Sequence, residues 1–289
     1  MGMKSEEESV ALQAIEFWTS VAEEETNLES DYLDAQEVRR GQFICPKSRA
    51  LNRSQGLLDG DVEVPRYFAK IALPEVVPVL LQLLTRQDED AEEGEWNVSM
   101  AAGTCLAFLA QAVHDPIVPA VIPFIEANIK QENWHQREAA VMAFGSILVG
   151  PDPAVLTPLV NQALPILINM MSDPQSQVKD TTAWTLGRIC ESLITSIKPD
   201  VHLHALVSAL VAGLQDSPHI IANCCWALMN LADGLYELYE SSEEQGAGPL
   251  SPYFDGIVGA LLQVTETYVF DSSFFFLIGK PPSALTLSC

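Results

Sequence analysis

A short helical pattern recurs along the chain at a fixed interval, and no other feature constrains the fold as strongly. The segments VMAFGSIL (141–148), AWTLGRIC (183–190) and CWALMNLA (225–232) align so that Met142, Trp184 and Trp226 stand at equal intervals. Each segment carries apolar or small residues at helical spacing, without the alternation of a β-strand. The segment GTCLAFLA (103–110) is placed one step earlier, with Thr104 opposite Met142. A period of about forty residues predicts a tandem array of helical units.

A second helix precedes each of these segments, rich in Leu, Val and Ile and carrying Pro78, Pro123 or Pro165. Turns such as Ser172-Asp173-Pro174 end one helix and start the next, because Asp caps free N–H groups and Pro suits a first helical turn. The unit is therefore helix A, turn, helix B, a content and period typical of HEAT repeats. We predict an all-α fold, a HEAT-repeat α-solenoid built as a right-handed superhelical stack of antiparallel helix pairs.

One unit follows the HEAT pattern closely, with Pro165, Asp173 and the pair Val178-Lys179 at the expected spacing. The neighbouring units depart from it, since Gln131 stands in place of the aspartate and Ala222 in place of the basic residue. No single hairpin can bury its apolar face alone, so we expect stability to come from the stacking of successive units.

The array is predicted to occupy residues 66–268 as about four to five repeats, preceded in 1–27 by one helix of a truncated first repeat. Residues 28–65 are predicted to form a disordered loop or insertion, and 269–289 an aberrant, poorly structured tail. We expect this chain to be a truncated or mis-spliced version of a longer protein. The predicted B helices are 8–25, 96–112, 134–149, 175–193 and 218–235, and the predicted A helices are 67–85, 115–130, 154–171, 200–215 and 250–267.

The chain carries 39 acidic residues against 15 basic ones, a formal charge of −24. Such a surface repels nucleic acid and anionic membranes and attracts basic protein segments. The six cysteines show no CxxC spacing, so we expect reduced core cysteines of a cytosolic or nuclear protein. No apolar run reaches the length of a membrane span and the N-terminus lacks the apolar region of a signal peptide, so a soluble protein is predicted.

Six carboxylates crowd into the segment between two predicted helices: Asp88, Glu89, Asp90, Glu92, Glu93 and Glu95. A turn between paired helices needs only about three or four residues. One interpretation is a solvated acidic loop with no partner. The other is an electrostatic collar for Lys/Arg-rich partners, which steers more than it anchors because such attraction acts over about 8 Å at physiological salt.

Three tryptophans lie on predicted B helices: Trp96, Trp184 and Trp226. Burial in the core is the usual position of tryptophan in a helical protein, and we assign it to Trp18 and Trp134. The neighbours of the other three favour exposure instead. Indole rings stack on guanidinium groups and lysine stems, with about 0.5–2 kcal/mol per contact, so a row of exposed indoles would bind a basic segment.

The polar neighbours come from helical spacing, since residues three or four apart share a face. Trp184 shares its face with Asp180 and Arg188. The corresponding neighbours of Trp226 are Asn223, Asn230 and Asp233. We therefore predict a partner-binding surface on the B helices formed by Trp96, Trp184, Trp226, Asp180, Asn223 and Asn230.

Catalytic signatures are absent from the sequence, which contains no HExxH, GxSxG, Walker loop or Rossmann glycine fingerprint. His202 and His204, two residues apart, point to different sides of a helix and make a poor metal pair. We predict no catalytic residue, no metal site and no cofactor, and the chain is not predicted to be an enzyme.

Four segments resemble the importin-β family, the karyopherin-β nuclear import receptors: LLTRQDEDAEEGEWNVSMAAGTCLAFLAQ, NWHQREAAVMAFGSILVGP, VKDTTAWTLGRICES and NCCWALMNLAD. The resemblance covers residues 9–27 and 66–268 and is most specific in the middle. It implies a segment from the centre of a much longer HEAT superhelix.

The resemblance also implies partners and locations. The acidic loop from Asp88 to Glu95, together with Trp96, Trp184 and Trp226, would contact the basic importin-β-binding helix of importin-α or basic cargo. The loop would take part in the response to Ran-GTP, which releases cargo, and the main site for FG-nucleoporins would lie in repeats outside this segment. The implied locations are the cytoplasm, the nucleus and the nuclear pore, with neither nucleic acid nor membrane as a partner.

An alternative function is that of a generic HEAT-repeat scaffold or regulatory subunit, whose partners need not be basic. The acidic loop and the exposed indoles separate the two hypotheses, because a generic scaffold has no need of both.

Overall fold

The computed structural model describes residues 2–39, 66–87, 96–241 and 247–268. Within these ranges the chain forms ten α-helices and no strand. The helices are α1 (Glu8–Arg39), α2 (Phe68–Leu83), α3 (Val98–Val113), α4 (Ile117–Asn128), α5 (Trp134–Ser146), α6 (Pro153–Met170), α7 (Ser176–Ser192), α8 (His204–Gly213), α9 (Pro218–Glu240) and α10 (Phe254–Tyr268). Short 3₁₀ or π turns stand at Gly2–Lys4, Ile194–Ser196, Pro199–Leu203 and Ser251–Tyr253.

The helices form two layers. The B layer is continuous, since α1 packs on α3, α3 on α5, α5 on α7 and α7 on α9. The first four A helices each pack against the B helix that follows, in the pairs α2–α3, α4–α5, α6–α7 and α8–α9. The core lies between the layers and runs through every pair without a break. The predicted HEAT-repeat solenoid is therefore confirmed.

The predicted helices match the observed ones within a few residues, with one large exception. Helix α1 extends to Arg39, whereas the sequence analysis ended it by residue 27 and assigned 28–39 to a loop. The assignment was wrong because this stretch has few apolar residues but is rich in good helix formers, including Glu, Leu, Ala and Gln. The rest of the predicted loop and the predicted tail, residues 40–65 and 269–289, lie outside the described residues.

Helix α2 begins without a side-chain cap of its own. Tyr67 holds the N-cap position in a left-handed conformation, with φ of 57° and no capping hydrogen bond. The carboxylate of Glu25 in α1 acts as the cap instead. It accepts hydrogen bonds from the backbone N–H groups of Phe68 and, at 2.9 Å, Ala69. A carboxylate suits this end of a helix because the free N–H groups and the helix dipole both favour negative charge. This bond also fixes the first described A helix to the helix before it.

Ion pairs join successive units at the turns between an A helix and its B helix. The guanidinium of Arg137 in α5 makes two hydrogen bonds to the carboxylate of Asp173, at 2.8 and 2.9 Å. Lys179 in α7 pairs with Asp216 through a single contact between Nζ and Oδ2. Each aspartate also accepts a backbone N–H in its own turn, from Gln175 or Ser217 respectively. The turn aspartates therefore serve both as local caps and as contacts between units.

Four of the six cysteines belong to the described residues. Cys105, Cys190 and Cys224 are buried and Cys225 is half-buried, all as free thiols. Burial raises the pKa of the Cys105 and Cys190 thiols to about 12, so both are un-ionised core groups. This agrees with the predicted role of the cysteines.

One described helix, α6, is long and apolar enough to cross a membrane by length and composition alone. The sequence analysis had expected no such segment. In the stack α6 buries one stripe, Leu156, Val160, Leu164 and Leu167, against the rest of the core. A buried stripe of this kind is what an A helix of a solenoid needs.

Candidate partner-binding surface on the B helices

A repeated contact between a ring and a glycine positions the two central tryptophans. Trp184 of α7 packs on the backbone of α5 at Gly145, where an added Cβ would lie 2.4 Å from Cζ3 of the ring. Trp226 of α9 packs in the same way on α7 at Gly187, with 2.3 Å to Cε3. Glycine is required at both positions because any side chain would occupy the space of the indole. The two rings therefore bridge neighbouring B helices.

The same contact corrects the repeat alignment at α3. Met142 packs on Gly103, as Trp184 packs on Gly145. The glycines that receive these side chains, Gly103, Gly145 and Gly187, are equally spaced along the chain, so the residue opposite Met142 is Met100 and not Thr104. The sequence alignment was one helical turn out of register because small and apolar residues fill both registers equally well.

The exposure of the three tryptophans differs. Trp184 and Trp226 are half-buried, with part of each ring covered by the preceding B helix. Trp96 is 50% exposed and lies before the N-cap residue Asn97 of α3, so it is not on the helix as predicted. Met100 is the residue of α3 that aligns with Trp184. Trp96 precedes Met100 by one turn and therefore falls outside the register of the repeat.

The predicted polar neighbours are partly brought together. The Asn223 side chain of α9 donates from Nδ2 to Oδ1 of Asp180 in α7, at 2.8 Å. This bond fixes the amide and the carboxylate relative to each other and links the two helices. Asn230, one turn after Trp226, is half-buried and its Nδ2 is buried without a hydrogen-bond partner among the described residues.

Arg188, one turn after Trp184, lies over the Trp184 ring with its guanidinium carbon 5.8 Å from the ring centroid. Arg188 as a whole is only 9% exposed. Burial lowers the pKa of Arg188, and the nearby charge of Glu191 opposes that shift. The indole of Trp184 therefore already has a cation from its own chain beside it, which the sequence analysis noted only as a neighbour on the same face.

A buried carboxylate that the sequence analysis missed lies close to this surface. Glu138 in α5 accepts hydrogen bonds from the side chains of Gln87 and, at 2.7 Å, Thr181. Complete burial raises the pKa of Glu138 to about 7; the charge of Asp180 also raises it, and the two hydrogen bonds oppose the rise. The available signal was periodicity, since Glu138 stands one full repeat before Asp180.

The acidic residues from Asp88 to Glu95 lie outside the described residues. Their neighbour Gln87 is held in place by hydrogen bonds from Nε2 to the Glu138 carboxylate and, at 2.9 Å, to the backbone oxygen of His135. An open depression of about 340 Å³ adjoins this point, lined by Thr85, Gln87, Asn133, His135 and Gln136.

The two tryptophans assigned to the core, Trp18 and Trp134, do pack against it. His202 is buried and its Nδ1 accepts the backbone N–H of Lys198 at 3.2 Å, whereas His204 is exposed and faces Tyr253. Among the described residues no three His, Cys, Asp or Glu side chains form a group that could hold a metal ion.

Comparison with known proteins identifies relatives along most of the chain. A family model described as HEAT-like repeat matches residues 134–189, and one described as Importin subunit beta-1-like, TPR repeats, matches 205–274. The chain is 48% identical to Importin subunit beta-1 of Schizosaccharomyces pombe, over 92% of this chain and 28% of that protein. Importin subunit beta-1 of Arabidopsis thaliana is 42% identical, over 91% of this chain and 28% of its own length. The chain thus spans just over a quarter of these relatives.

Superposition on solved structures identifies the same group of relatives. A crystal structure of importin beta superposes with a TM-score of 0.79 at 42% identity, covering 96% of this chain and 29% of that one. The Kap95:Nup1 complex gives a TM-score of 0.75 at 39% identity, with coverages of 91% and 27%. A structure of Kap95p, whose binding induces the switch loops of RanGDP to adopt the GTP-bound conformation, gives 0.74 at 38% identity, with coverages of 96% and 28%.

Proposed function

Because the chain belongs to the importin-β family over the length that it spans, we propose that it is part of a nuclear protein import receptor. It binds the basic importin-β-binding helix of importin-α, or a basic segment of cargo, along the B-helix surface. The proposed role is that of a transport receptor segment and not of an enzyme, and its proposed locations are the cytoplasm, the nucleus and the nuclear pore.

The observation that carries the proposal is the placement of Trp184 and Trp226. Each ring is fixed against a glycine of the preceding helix, so the ring loses little further freedom when a ligand contacts its remaining surface. Asp180 and Asn223, which are hydrogen-bonded to each other, each stand one helical turn before one of the rings. Fixed aromatic surfaces beside acceptor oxygens suit lysine and arginine side chains, which combine an apolar stem with a charged end.

Electrostatics supports the same class of partner. The formal charge of −24 favours encounter with basic segments. We propose that the acidic residues from Asp88 to Glu95 and the exposed Trp96 add to this attraction at the edge of the surface. Asn230 is proposed to contact the partner next to Trp226, through the exposed part of its half-buried side chain.

Two further partners are proposed from the relatives. Kap95 has been solved with the nucleoporin Nup1 and with RanGDP. We propose that cargo release from this chain is linked to Ran-GTP and that FG-nucleoporins bind mainly to repeats outside this segment.

Binding of a Lys/Arg-rich helical peptide, measured by fluorescence anisotropy, tests the proposal. Trp184→Ala combined with Trp226→Ala is expected to weaken binding about tenfold or more, because each cation–indole contact contributes about 0.5–2 kcal/mol. Phe254→Ala is the matched control, since Phe254 is a 62% exposed aromatic residue on an A helix, and it should leave the affinity unchanged. Equal affinity of the double variant and the wild type would contradict the proposed surface and favour the generic scaffold.

A further inference from the structure

Arg188 is a buried cation with unused hydrogen-bonding capacity. The residue is 9% exposed, and its Nε atom is buried without a hydrogen-bond partner among the described residues. A guanidinium carries five N–H donors and no acceptor. Leaving such donors unsatisfied in a buried position is unfavourable. Nε itself has almost no exposed surface, so an incoming acceptor would reach the guanidinium through the 11% of the side chain that is exposed.

The present partner of Arg188 is weak and replaceable. Its closest carboxylate is Glu191 on the same helix, with Nη1 to Oε2 at 3.5 Å. That distance is long for a charge-assisted hydrogen bond, and the Glu191 side chain is 45% exposed. Glu191 can therefore turn into solvent when a better aligned carboxylate arrives.

The charge is specific to one repeat. The equivalent positions one repeat before and one repeat after Arg188 hold Ser146 and Asn230, which are uncharged. Each stands one turn after the residue that packs on a glycine, Met142 and Trp226 respectively. Next to Trp226 the equivalent position holds Asn230, which does not repel an external cation. Next to Trp184 it meets the guanidinium of Arg188.

We propose that the site formed by Trp184 and Arg188 binds a carboxylate side chain of the partner segment, and that Arg188 is a specificity-determining residue. The proposal rests on the proposed function, in which that segment is a basic helix on the B surface. A guanidinium group and a carboxylate can form two parallel N–H···O hydrogen bonds with each other. Because neighbouring B helices pack about 8–10 Å apart, the carboxylate would be about six residues from the cation on Trp226 if the partner is helical. Affinity then depends on the order of positive and negative charges along the partner segment, and not on its basicity alone.

A peptide scan tests this inference. The probes are labelled, Lys/Arg-rich, alanine-based helical peptides in which a single glutamate is moved through seven consecutive positions, each with a glutamine counterpart. On the wild-type chain, glutamate at one or two positions is expected to bind about fivefold tighter than glutamine at the same position, in the range of measured pairwise couplings. On Arg188→Gln that advantage should disappear, while the glutamine peptides bind within about twofold of wild type.

Glu191→Gln is the matched variant on the same helix. It removes the internal competitor and should increase the glutamate advantage, whereas a decrease would count against the inference. Circular dichroism melting of both variants shows whether the fold is kept, and the glutamine peptides report any general loss of the surface.

The outcomes separate the two proposals. If no basic peptide binds the wild-type chain, the proposed function and this inference both fail. If the peptides bind and respond to the loss of Trp184 and Trp226, but glutamate is never preferred or is preferred equally by Arg188→Gln, only the inference about Arg188 fails.

Discussion

Single glycines decide where the rings of this surface lie. Gly145 and Gly187 leave room for an indole directly against the helix backbone, and Gly103 leaves room for Met142. Glycine in the middle of a helix costs about 0.5–1 kcal/mol relative to alanine. In this stack that cost is offset by the ring contact, because a flat indole on a bare backbone joins two B helices over a large area.

Replacing the glycines under the rings by alanine should therefore destabilise the protein, whereas the same change at a glycine in open space should not. Gly145→Ala and Gly187→Ala are expected to lower the free energy of unfolding by about 1–3 kcal/mol, since the rigid ring cannot make way for the new methyl group. Gly259→Ala is the control, because an added Cβ there meets nothing within 4 Å, and the higher helix propensity of alanine should be neutral or stabilising. Urea denaturation measures the stability, and a red shift of tryptophan emission reports displacement of the ring.

Gly103→Ala is an internal test of the same argument. The nearest atoms to its added Cβ belong to the flexible end of Met142, at 3.2 Å, so the loss of stability should be clearly smaller than at Gly145. Equal losses at Gly103, Gly145 and Gly259 would contradict the ring contact as the cause.

Hydrogen bonds through one buried carboxylate tie several elements together. Glu138 of α5 accepts from Thr181 of α7 and from Gln87, which follows α2 and precedes α3. Side chains from three successive repeat units therefore meet at Glu138. Burial of the ionised form is unfavourable, so this junction depends on pH.

The sign of that dependence follows from the raised pKa. Glu138 has an ordinary pKa of 4.5 and a folded value of about 7, so the folded chain binds the proton more tightly than the unfolded chain. Its contribution to stability is complete below pH 4.5 and is lost as the pH rises through 7, by at most about 3 kcal/mol. Glu138→Gln cannot ionise, and its stability relative to wild type should increase from pH 5 to pH 8 in urea denaturation. The exposed Glu132→Gln should follow the wild type, and parallel pH profiles for Glu138→Gln and wild type would refute the assignment.

Helices with a strong apolar period were predictable from the sequence, and contacts between helices were not. The ends of α7 fall within one residue of the predicted ones because the turn before it carries Asp173 and Pro174 and its face is clearly apolar. Helix α1 was predicted too short, since its second half is held by helix propensity with few apolar residues. The roles of Arg188 and Glu138 depend on which side chains of adjacent helices meet, and a periodic pattern contains no such distance. The contacts of residues 88–95 with a partner stay a prediction.

At the scale of the whole molecule, a continuous B layer and a large negative charge act on a partner in different ways. The stack holds Trp184 and Trp226 on successive B helices, which creates short-range contacts spaced along one surface. The formal charge of −24 is spread over the chain and acts at a range set by salt. Charge should therefore control how fast a basic segment arrives, and the rings should control how long it stays.

Stopped-flow binding of a basic helical peptide separates these two effects. The association rate constant is expected to fall about tenfold as the salt concentration is raised from low to above physiological, because screening removes electrostatic steering. The dissociation rate constant should change much less, since contacts with partly buried rings are screened less than charges in water. Trp184→Ala with Trp226→Ala should do the reverse, raising the dissociation rate about tenfold while keeping the salt dependence of association. If the double variant instead slowed association and left dissociation unchanged, the indoles would be part of the encounter and not of the bound state, and the division of roles between charge and rings would be wrong.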